Sequence, residues 1–491
     1  MKVLAALAAL VLPATATNVV FIMADDLGYM DVGFNNPETF YDTPNLNALA
    51  KESVRFTAGY AACPVCSPTR SSVLTGQYPA RTRNTDYFGG PNGFQEIPEN
   101  YDPAKHGDFK QFKNRPVLPA PYLERLDAEH TTLAEALKAA GYATLHAGKW
   151  HLGPEGSFPT DHGFDINIAG GRGGGPYSGD KYFSPYDNPH LPNGPKGEHL
   201  PDRLATEVAR FITEHKDGKF FVYLPFYSVH TPLMAPEKLV EKYKAKAEKL
   251  DLEAKFEPEP PRKNRTVQQH AVYAGMVEAM DAAVGKVLDS LEKNGVADDT
   301  IVFFFSDNGG LSTSEGSPTS NLPYRAGKGW AYEGGVREPL LVRWPGNGKA
   351  GATCDEPVIS TDFFPTILEA CGLDPLPAQT LDGTSFAGLL KDPEAAHERA
   401  PLFWHYPHWG NQGGIPFSAV RDGDWKLIDF YWKKSPELYN LADDPGEQTN
   451  LAAKNPEKLA ELKTKLDALR KDTDALPPAV NPDPKQPFEK W

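Results

Sequence analysis

The sequence is poor in cysteine and has no excess of positive charge. Four cysteines in 491 residues are too few for a disulfide scaffold, although the sequence leaves open whether Cys354 and Cys371 pair. The formal net charge is −15, which argues against nucleic acid as a partner because phosphate backbones bind basic surfaces. An anionic substrate would need a local cluster of cations against this overall charge.

Hydrophobic runs long enough to span a bilayer are also missing. The N-terminus has Lys2, an apolar run of ten residues over 3–12 and the small residues 14–16. This pattern is typical of a signal peptide over 1–16 that is cleaved near Ala16. We therefore expect a periplasmic or secreted protein with no membrane insertion after cleavage. The alternative is that the run forms a buried first strand or helix.

The remaining composition is that of a folded protein. Hydrophobic residues make up 40% and charged residues 23% of the chain, and the 43 glycines and 46 prolines indicate long loops on a scaffold. The pattern changes after about Leu390, where short runs rich in aromatic residues begin. We predict a large domain over 17–395, a small C-terminal subdomain over 396–476 and a Pro-rich tail over 477–491.

Apolar runs alternate with amphipathic segments along the large domain. The runs typical of buried strands are 18–23, 142–146, 220–226 and 300–305. The helical patterns cover 131–140, 204–215 and 267–293. This alternation predicts an α/β fold with a mainly parallel central sheet between helices. For the subdomain we predict an antiparallel sheet and one helix over 457–470, because four leucines share one helical face.

Polar side chains follow the predicted strands where each of them ends. In open α/β sheets, functional groups gather at the carboxyl ends of the strands. The residues in such positions are Asp25, Asp26, Lys149, His151, His230, Asp307 and Asn308. The carboxylates and the amide carbonyl are hard oxygen ligands that suit calcium better than a soft metal. Each Asx pair, taken by itself, is also common in turns.

Cys66 lies just before the predicted N-terminus of a short helix. Ser67 is a favourable N-cap, Pro68 suits the first helical turn and Gly76 ends the pattern. An anion is favoured at such a helix end, and Arg70 follows about one turn later. Taken alone, the pair Cys63 and Cys66 would also suggest a redox centre or half of a zinc site, but no second Cys-x-x-Cys is present.

These residues resemble the signature of the type I sulfatases, the formylglycine-dependent, arylsulfatase-like family. Cys66-Ser-Pro-Thr-Arg70 followed by Leu74-Thr-Gly76 is similar to the family motif Cys-x-Pro-x-Arg with a downstream Leu-Thr-Gly. Thr69 and Gln77 depart from the commonest form of the motif, in which Ser and Arg stand at these positions. Further family blocks are Gly148–Gly153, Ser-Val-His230-Thr-Pro and the stretch around Lys328. The resemblance runs from Asn18 to about Leu451.

The resemblance implies an alkaline-phosphatase-like fold and a hydrolase of sulfuric esters. It implies that a formylglycine-generating maturation enzyme oxidises Cys66 to 3-oxoalanine, and that one calcium ion is bound by Asp25, Asp26, Asp307, Asn308 and residue 66. The implied catalytic residues are Cys66, Arg70, Lys149, His151, His230 and Lys328. Residue 66 would form a sulfated intermediate, which His151 would help to break down. His230 is our first choice for the acid that protonates the leaving sugar, with Lys328 second.

The substrate expected from the resemblance to bacterial carbohydrate exo-sulfatases is a sulfated sugar. We expect exo action on galactose or N-acetylgalactosamine 4- or 6-sulfate, by analogy with the family. The candidate substrate contacts are Arg172, His405 and His408, with Asn411 and Gln412 as further polar groups. His405 and His408 would otherwise serve to pack the two domains together. The alternative functions are a phosphonate or phosphate ester hydrolase of the same superfamily and a glycan-binding pseudoenzyme.

Overall fold

The protein is described by a computed structural model that covers residues 18–107, 109–176, 181–376, 378–433 and 435–484. The predicted signal peptide, Tyr177 and residues 485–491 of the predicted tail lie outside this range. None of the described helices is long and apolar enough to span a membrane. Cys63, Cys66, Cys354 and Cys371 are buried free thiols, so the question of a Cys354–Cys371 bond is answered in the negative for this structure.

A mainly parallel sheet of nine described strands forms the centre of the large domain. Eight of them follow one another across the sheet in the order Thr353–Cys354, Val54–Tyr60, Arg337–Arg343, Thr300–Ser306, Asn18–Ala24, Phe220–Pro225, Ala143–Ala147 and Ile166–Ile168. The ninth, Val358–Ile359, pairs with Val54–Tyr60. Only Arg337–Arg343 runs antiparallel to its described neighbours. The predicted α/β class with a mainly parallel sheet is confirmed.

Both faces of this sheet are covered by helices, which explains why its central strands are apolar throughout. In Asn18–Ala24, side chains alternate between two cores: Val20 and Ile22 belong to one, and Val19 and Phe21 to the other. The helices of at least seven residues in the large domain are Pro44–Lys51, Cys66–Thr75, Leu133–Ala139, Leu200–His215, Glu237–Lys249, Ala271–Lys293 and Phe363–Ala370. The shorter ones are Pro79–Thr82, Pro103–His106, Glu333–Val336 and Ala387–Lys391.

The C-terminal subdomain consists of an antiparallel sheet and a helix, as predicted. The sheet contains Leu402–Tyr406, Phe417–Asp422, Trp425–Phe430 and Glu437–Asn440 in that spatial order. Helix Pro456–Asp472 packs on it through the buried side chains of Leu462 and Leu466. In the tail, Ala479–Val480 pairs with Val117–Leu118. Two further strand pairs lie in loops: Phe256–Glu259 with Arg262–Arg265, and Gly93–Phe94 with Tyr122–Leu123.

The predicted elements recur with small shifts at their ends. The segment predicted as a helix over 267–293 begins at Ala271, and the one predicted over 204–215 begins earlier, at Leu200. In the third, Thr132 caps the helix by accepting a hydrogen bond from the Glu135 backbone N–H. Helix ends depend on contacts that a pattern of apolar residues does not register, so shifts of a few residues are expected.

Candidate active site

Two neighbouring parallel strands bring four of the predicted metal ligands together. Asn18–Ala24 pairs with Thr300–Ser306 in a register that sets Ala24 opposite Ser306. The residues that follow, Asp25-Asp26 and Asp307-Asn308, therefore emerge side by side at the carboxyl edge of the sheet. The Asp26 backbone N–H donates to Asp307 Oδ1 at 3.2 Å, and Asn308 Nδ2 donates to Asp26 Oδ1 at 2.8 Å. All four residues are fully buried.

Three buried cations neutralise the three carboxylates of this group. Lys149 Nζ lies 2.7 Å from Asp25 Oδ2, and Lys328 Nζ lies 2.7 Å from Asp26 Oδ1. The Arg70 guanidinium donates twice to Asp307 Oδ2, at 2.7 and 2.9 Å. Isolated charges at such depth would be costly, so the close pairing explains how the group is tolerated. An anionic substrate would need local cations because the chain has a net negative charge, and these three residues are such cations.

The helix that carries Cys66 and Arg70 begins two residues earlier than predicted. Cys66 is its first residue and Val65 precedes it, so Ser67 is not the N-cap. Instead, the Ser67 hydroxyl lies inside the first turn and accepts a hydrogen bond from the Phe88 backbone N–H at 3.1 Å. Gly76 ends the helix with φ of +69°, as the pattern indicated. The shift places the side chain of residue 66 directly at the helix N-terminus.

Two buried oxygens in this group have no hydrogen-bond donor among the described residues. They are Asp25 Oδ1 and Asn308 Oδ1, and buried polar atoms in folded proteins are rarely left in this way. Ligand atoms of Asp25, Asp26, Cys66 and His230 lie within 4.8 Å of one another. Burial raises the pKa of Asp25 to about 8, with Asp307 and Asp26 adding to the shift against the opposing charge of Lys149. A hard cation with oxygen ligands fits the two oxygens that lack a donor.

A cavity of about 250 Å³ opens onto this group. Four of the predicted catalytic residues line it, namely Cys66, His151, His230 and Lys328. The other lining residues are Tyr87, Phe88, Gly174, Glu315, Asn411 and Gln412. Arg70 and Lys149 lie behind the wall, fully buried. The sequence analysis missed Tyr87, Phe88 and Glu315, because they come from loops whose course no local pattern defines.

His151 presents an unprotonated nitrogen in this cavity wall. Its Nε2 lies 2.8 Å from the carbonyl oxygen of Phe88, which can only accept, so the ring proton is on Nε2. Nδ1 is buried and has no partner among the described residues. Burial, aided by the charge of Lys149, holds the pKa of His151 well below its usual value. The ring is therefore neutral and able to accept a proton.

His230 has the opposite tautomer. Its Nδ1 lies 2.7 Å from the carbonyl oxygen of Thr231 and donates to it, and its Nε2 lies 3.9 Å from Asp26 Oδ2. Burial and the charge of Lys328 lower the pKa of His230 to about 3. Burial alone would also lower the pKa of Lys328, but attraction to Asp26 outweighs it and the pKa ends well above the usual value. Of the two candidate acids, Lys328 is the one that carries a proton in this arrangement.

Of the predicted substrate contacts, Asn411 and Gln412 line the cavity, whereas Arg172, His405 and His408 do not. His405 is buried in the subdomain between the Ser418 hydroxyl and the carbonyl oxygen of Leu476. His408 is buried against the Thr85 hydroxyl. His408 therefore packs the subdomain onto the large domain, whereas His405 packs inside the subdomain, so neither lines the cavity in which we expected them to bind sugar. Arg172 is exposed and forms an ion pair of 3.1 Å with Glu124, so its guanidinium is outside the cavity lining.

Comparisons with known proteins agree with this site. The family model "Sulfatase" matches residues 17–373, and "N-sulphoglucosamine sulphohydrolase, C-terminal" matches residues 326–472. A sulfatase of Formosa agariphila is 32% identical, with 89% of this chain and 85% of that protein covered. Human arylsulfatase A is 31% identical, with 96% and 91% covered, and human N-acetylgalactosamine-6-sulfatase is 30% identical, with 94% and 86% covered.

Solved structures show the same fold. Ps i-CgsB has a TM-score of 0.73 and 26% identity, with 94% of each chain covered. The phosphonate monoester hydrolase of Agrobacterium radiobacter has a TM-score of 0.64 at 22% identity, with 94% of this chain and 99% of that chain covered, a likeness of fold alone. The chain belongs to the sulfatase family, the hydrolases of sulfuric esters.

Proposed function

We propose that this protein hydrolyses sulfate esters of sugars, with an oxidised residue 66 as its nucleophile and a sulfated enzyme as its intermediate. The observation that carries the proposal is the position of Cys66: first residue of a helix, at the base of a cavity and beside a buried group of balanced charges. A helix N-terminus favours an anion at this point. Lys328 lines the same cavity, and its charge would face the sulfate group.

An unmodified Cys66 would be a poor nucleophile here. Burial raises the pKa of the Cys66 thiol to about 11, although Lys149 and Lys328 oppose the shift. At neutral pH the thiol is therefore protonated and unreactive. Oxidation of residue 66 to formylglycine, whose hydrate carries two hydroxyls, would replace the soft sulfur by hard oxygen donors. That change would also complete an all-oxygen set around the two partnerless oxygens of Asp25 and Asn308.

A calcium ion held by Asp25, Asp26, Asp307, Asn308 and residue 66 would supply positive charge that favours ionisation of a bound hydroxyl. The fully buried Arg70 and Lys149 would support the same site from behind, by fixing the carboxylates and lowering the cost of negative charge on the sulfuryl oxygens. Because Arg70 and Lys149 are shielded from solvent, their charges act over several ångströms.

The protons are handled by different side chains in the two halves of the reaction. His151, neutral and with a bare Nδ1, would take the proton of the second hydroxyl when sulfate leaves. The departing sugar oxygen needs a proton, and the protonated amine of Lys328, which lines the same cavity, would give it. From the sequence we expected His230 to be the first choice for this acid and Lys328 the second. We now propose the reverse, because neutral His230 has only an acceptor nitrogen on the side of Asp26.

For the substrate we propose exo action on galactose or N-acetylgalactosamine 4- or 6-sulfate. Two similar proteins support this choice by their names: the N-acetylgalactosamine-6-sulfatases, and Ps i-CgsB, solved in complex with k-i-k-neocarrahexaose. The polar rim made by Glu315, Asn411 and Gln412 suits sugar hydroxyls. The cavity of about 250 Å³ is small for a polymer, which favours action on one terminal unit.

The test is release of inorganic sulfate from a panel of sulfated mono- and disaccharides, with Cys66→Ala as the control. We expect turnover of one sugar by the matured enzyme and none by the control. The mass of the peptide that contains residue 66 shows whether oxidation has taken place. Formylglycine without any sulfate release, on the panel or on long glycans, would overturn the proposal. Hydrolysis of a phosphonate ester instead would favour the alternative of the same superfamily.

Metal analysis tests the calcium site separately. We expect chelation to stop sulfate release, and calcium to restore it. Restoration by zinc or manganese, but not by calcium, would contradict the proposed oxygen-ligand site.

For location, we propose export through the signal peptide over 1–16. N-terminal sequencing of the protein from its own host should then begin near Thr17.

A further inference from the structure

A second cavity, of about 420 Å³, lies beside the catalytic one and is lined largely by aromatic rings. Its size is within the range of sites that bind small molecules. Pro260 and Pro261, at the tip of the hairpin that joins Phe256–Glu259 to Arg262–Arg265, form part of the wall. The aromatic lining consists of Trp330, Tyr332, Trp409, Phe430 and Trp432. The proposed mechanism uses none of these residues.

Four of these rings form two nearly parallel pairs. Trp409 and Trp432 have centroids 6.3 Å apart with planes inclined by 29°, and Trp330 and Tyr332 have centroids 6.1 Å apart with planes inclined by 26°. The indole Nε1 of Trp432 is buried and has no acceptor among the described residues. A buried indole N–H usually finds a partner. A ligand with an apolar face and oxygen acceptors would satisfy both the rings and this donor.

Positive charge exceeds negative charge in the lining, which contains Arg115, Arg325 and Lys433 together with Glu437. The Arg115 guanidinium carbon lies 4.5 Å from the Trp409 ring centroid. Arg262 adjoins the cavity, because it lies next to Gly413 and donates to the carbonyl oxygen of Asn411. Burial lowers the pKa of Arg115, and repulsion by the like charge of Arg262 adds to the shift. An anionic group bound near them would relieve this repulsion.

The wall between the two cavities is thin. Asn411 and Gln412 line the catalytic cavity, whereas the next two residues, Gly413 and Gly414, line the second one. A Cβ on Gly414 would lie 1.6 Å from the carbonyl oxygen of Gly329, so the backbone segments of this wall pack directly on each other. Because consecutive Cα atoms are about 3.8 Å apart, the cavities are near enough to be reached by different units of one oligosaccharide.

We propose that the second cavity binds an anionic sugar unit, sulfated or carboxylated, of the glycan chain that the enzyme acts on. The ring pairs would pack against the apolar face of the sugar, and Arg115 and Arg262 would attract its charged group. Binding here would give the enzyme a preference for oligosaccharides over single sugars. The identity of the ligand rests on the proposed function, but the cavity and its charge do not.

The test is a binding measurement that requires no turnover. The full-length Cys66→Ala protein is titrated by calorimetry with hexasaccharides of κ-carrageenan and of chondroitin 6-sulfate, and with the same oligosaccharides after desulfation. We expect Trp432→Ala and Arg115→Gln, each added to this background, to raise the Kd of the preferred sulfated hexasaccharide about 5-fold. Trp432→Phe should retain most of the affinity, because a flat ring remains.

Trp344→Ala is the matched control. Like Trp432, Trp344 has a buried indole N–H with no acceptor among the described residues, but it lines neither cavity. Its replacement should leave the Kd unchanged. An unchanged Kd in both Trp432→Ala and Arg115→Gln would overturn the proposal, as would equal binding of sulfated and desulfated chains or no binding of either hexasaccharide. Failure of sulfate release alone would contradict only the proposed function.

Discussion

Lys149 is fully buried, and its ammonium group lies 2.7 Å from Asp25. Without it, Asp25 would remain buried near the like charges of Asp26 and Asp307, with Arg70 3.8 Å away. We therefore expect Lys149→Ala to lower the free energy of unfolding by about 3 kcal/mol and to reduce sulfate release about 100-fold or more. Urea denaturation and the sulfate assay measure the two effects.

The exposed Lys238 provides the control for this prediction, since Lys238→Ala should change neither quantity. If Lys149→Ala were as stable as the wild type and as active, the buried ion pair would have no part in the site. If only stability fell, Lys149 would be a structural residue.

His405 is not one of the proposed metal ligands, and its substitution tests how the stability of the protein depends on pH. Burial lowers the pKa of His405 to about 3, whereas an unfolded histidine titrates near 6.5. The unfolded state therefore takes up the proton first as the pH falls, and stability present above about pH 6.5 is lost below it. Between pH 7 and pH 5 this difference amounts to about 2 kcal/mol.

We expect the wild type to lose about 2 kcal/mol more than His405→Gln over this pH interval, as measured by urea denaturation at both pH values. Glutamine keeps a donor and an acceptor for the Ser418 hydroxyl and the carbonyl oxygen of Leu476. Equal losses in the two proteins would show that His405 is not buried as a neutral ring.

At the scale of single elements, the short helix Cys66–Thr75 depends on the glycine that ends it. Gly76 has φ of +69°, and a Cβ there would lie 2.9 Å from side-chain atoms of Leu381 and Phe364. Gly141, after helix Leu133–Ala139, has φ of +87° but nothing within 4 Å of the corresponding position. At either position the positive φ would strain an alanine, but only at Gly76 would its Cβ also come close to other side chains.

Gly141→Ala should therefore cost about 1 kcal/mol from the backbone alone, and Gly76→Ala about 2 to 3 kcal/mol because packing is disturbed as well. Gly76→Ala should also reduce sulfate release, since the same helix positions residue 66. Thermal unfolding and the sulfate assay distinguish the two variants. Equal destabilisation would contradict the steric part of the argument.

The order of elements was predictable because the strands are buried on both faces and therefore continuously apolar. The helix starts were less predictable. Val65 rather than Ser67 precedes the helix of Cys66, because the Ser67 hydroxyl is engaged by the backbone of Phe88, 21 residues away. A local rule for caps cannot register such a contact.

At the scale of the whole molecule, buried charges join the subdomain to the large domain. Lys426, in strand Trp425–Phe430, lies 2.9 Å from Glu333 and 3.0 Å from Glu447. All three side chains are fully buried. Lys426→Ala would leave two carboxylates buried together, and we expect it to lower the free energy of unfolding by about 3 to 5 kcal/mol.

Lys458→Ala is the control, because its ion pair with Glu461 lies on the surface and should contribute less than about 1 kcal/mol. Denaturation of both variants in urea provides the comparison. A small effect in both would mean that the apolar contacts between the two parts hold them together without this ion group.

The sequence by itself determined the α/β class, the sulfatase family, and the residues that the structure collects around Cys66. These features depend on apolar periodicity and on short motifs, which are local. Only the tertiary structure decided that His405 is buried inside the subdomain and His408 between the domains, that Glu315 reaches the catalytic cavity, and that a second aromatic cavity adjoins it. These outcomes depend on which distant segments meet, and that is fixed by packing of the whole chain rather than by any stretch of it.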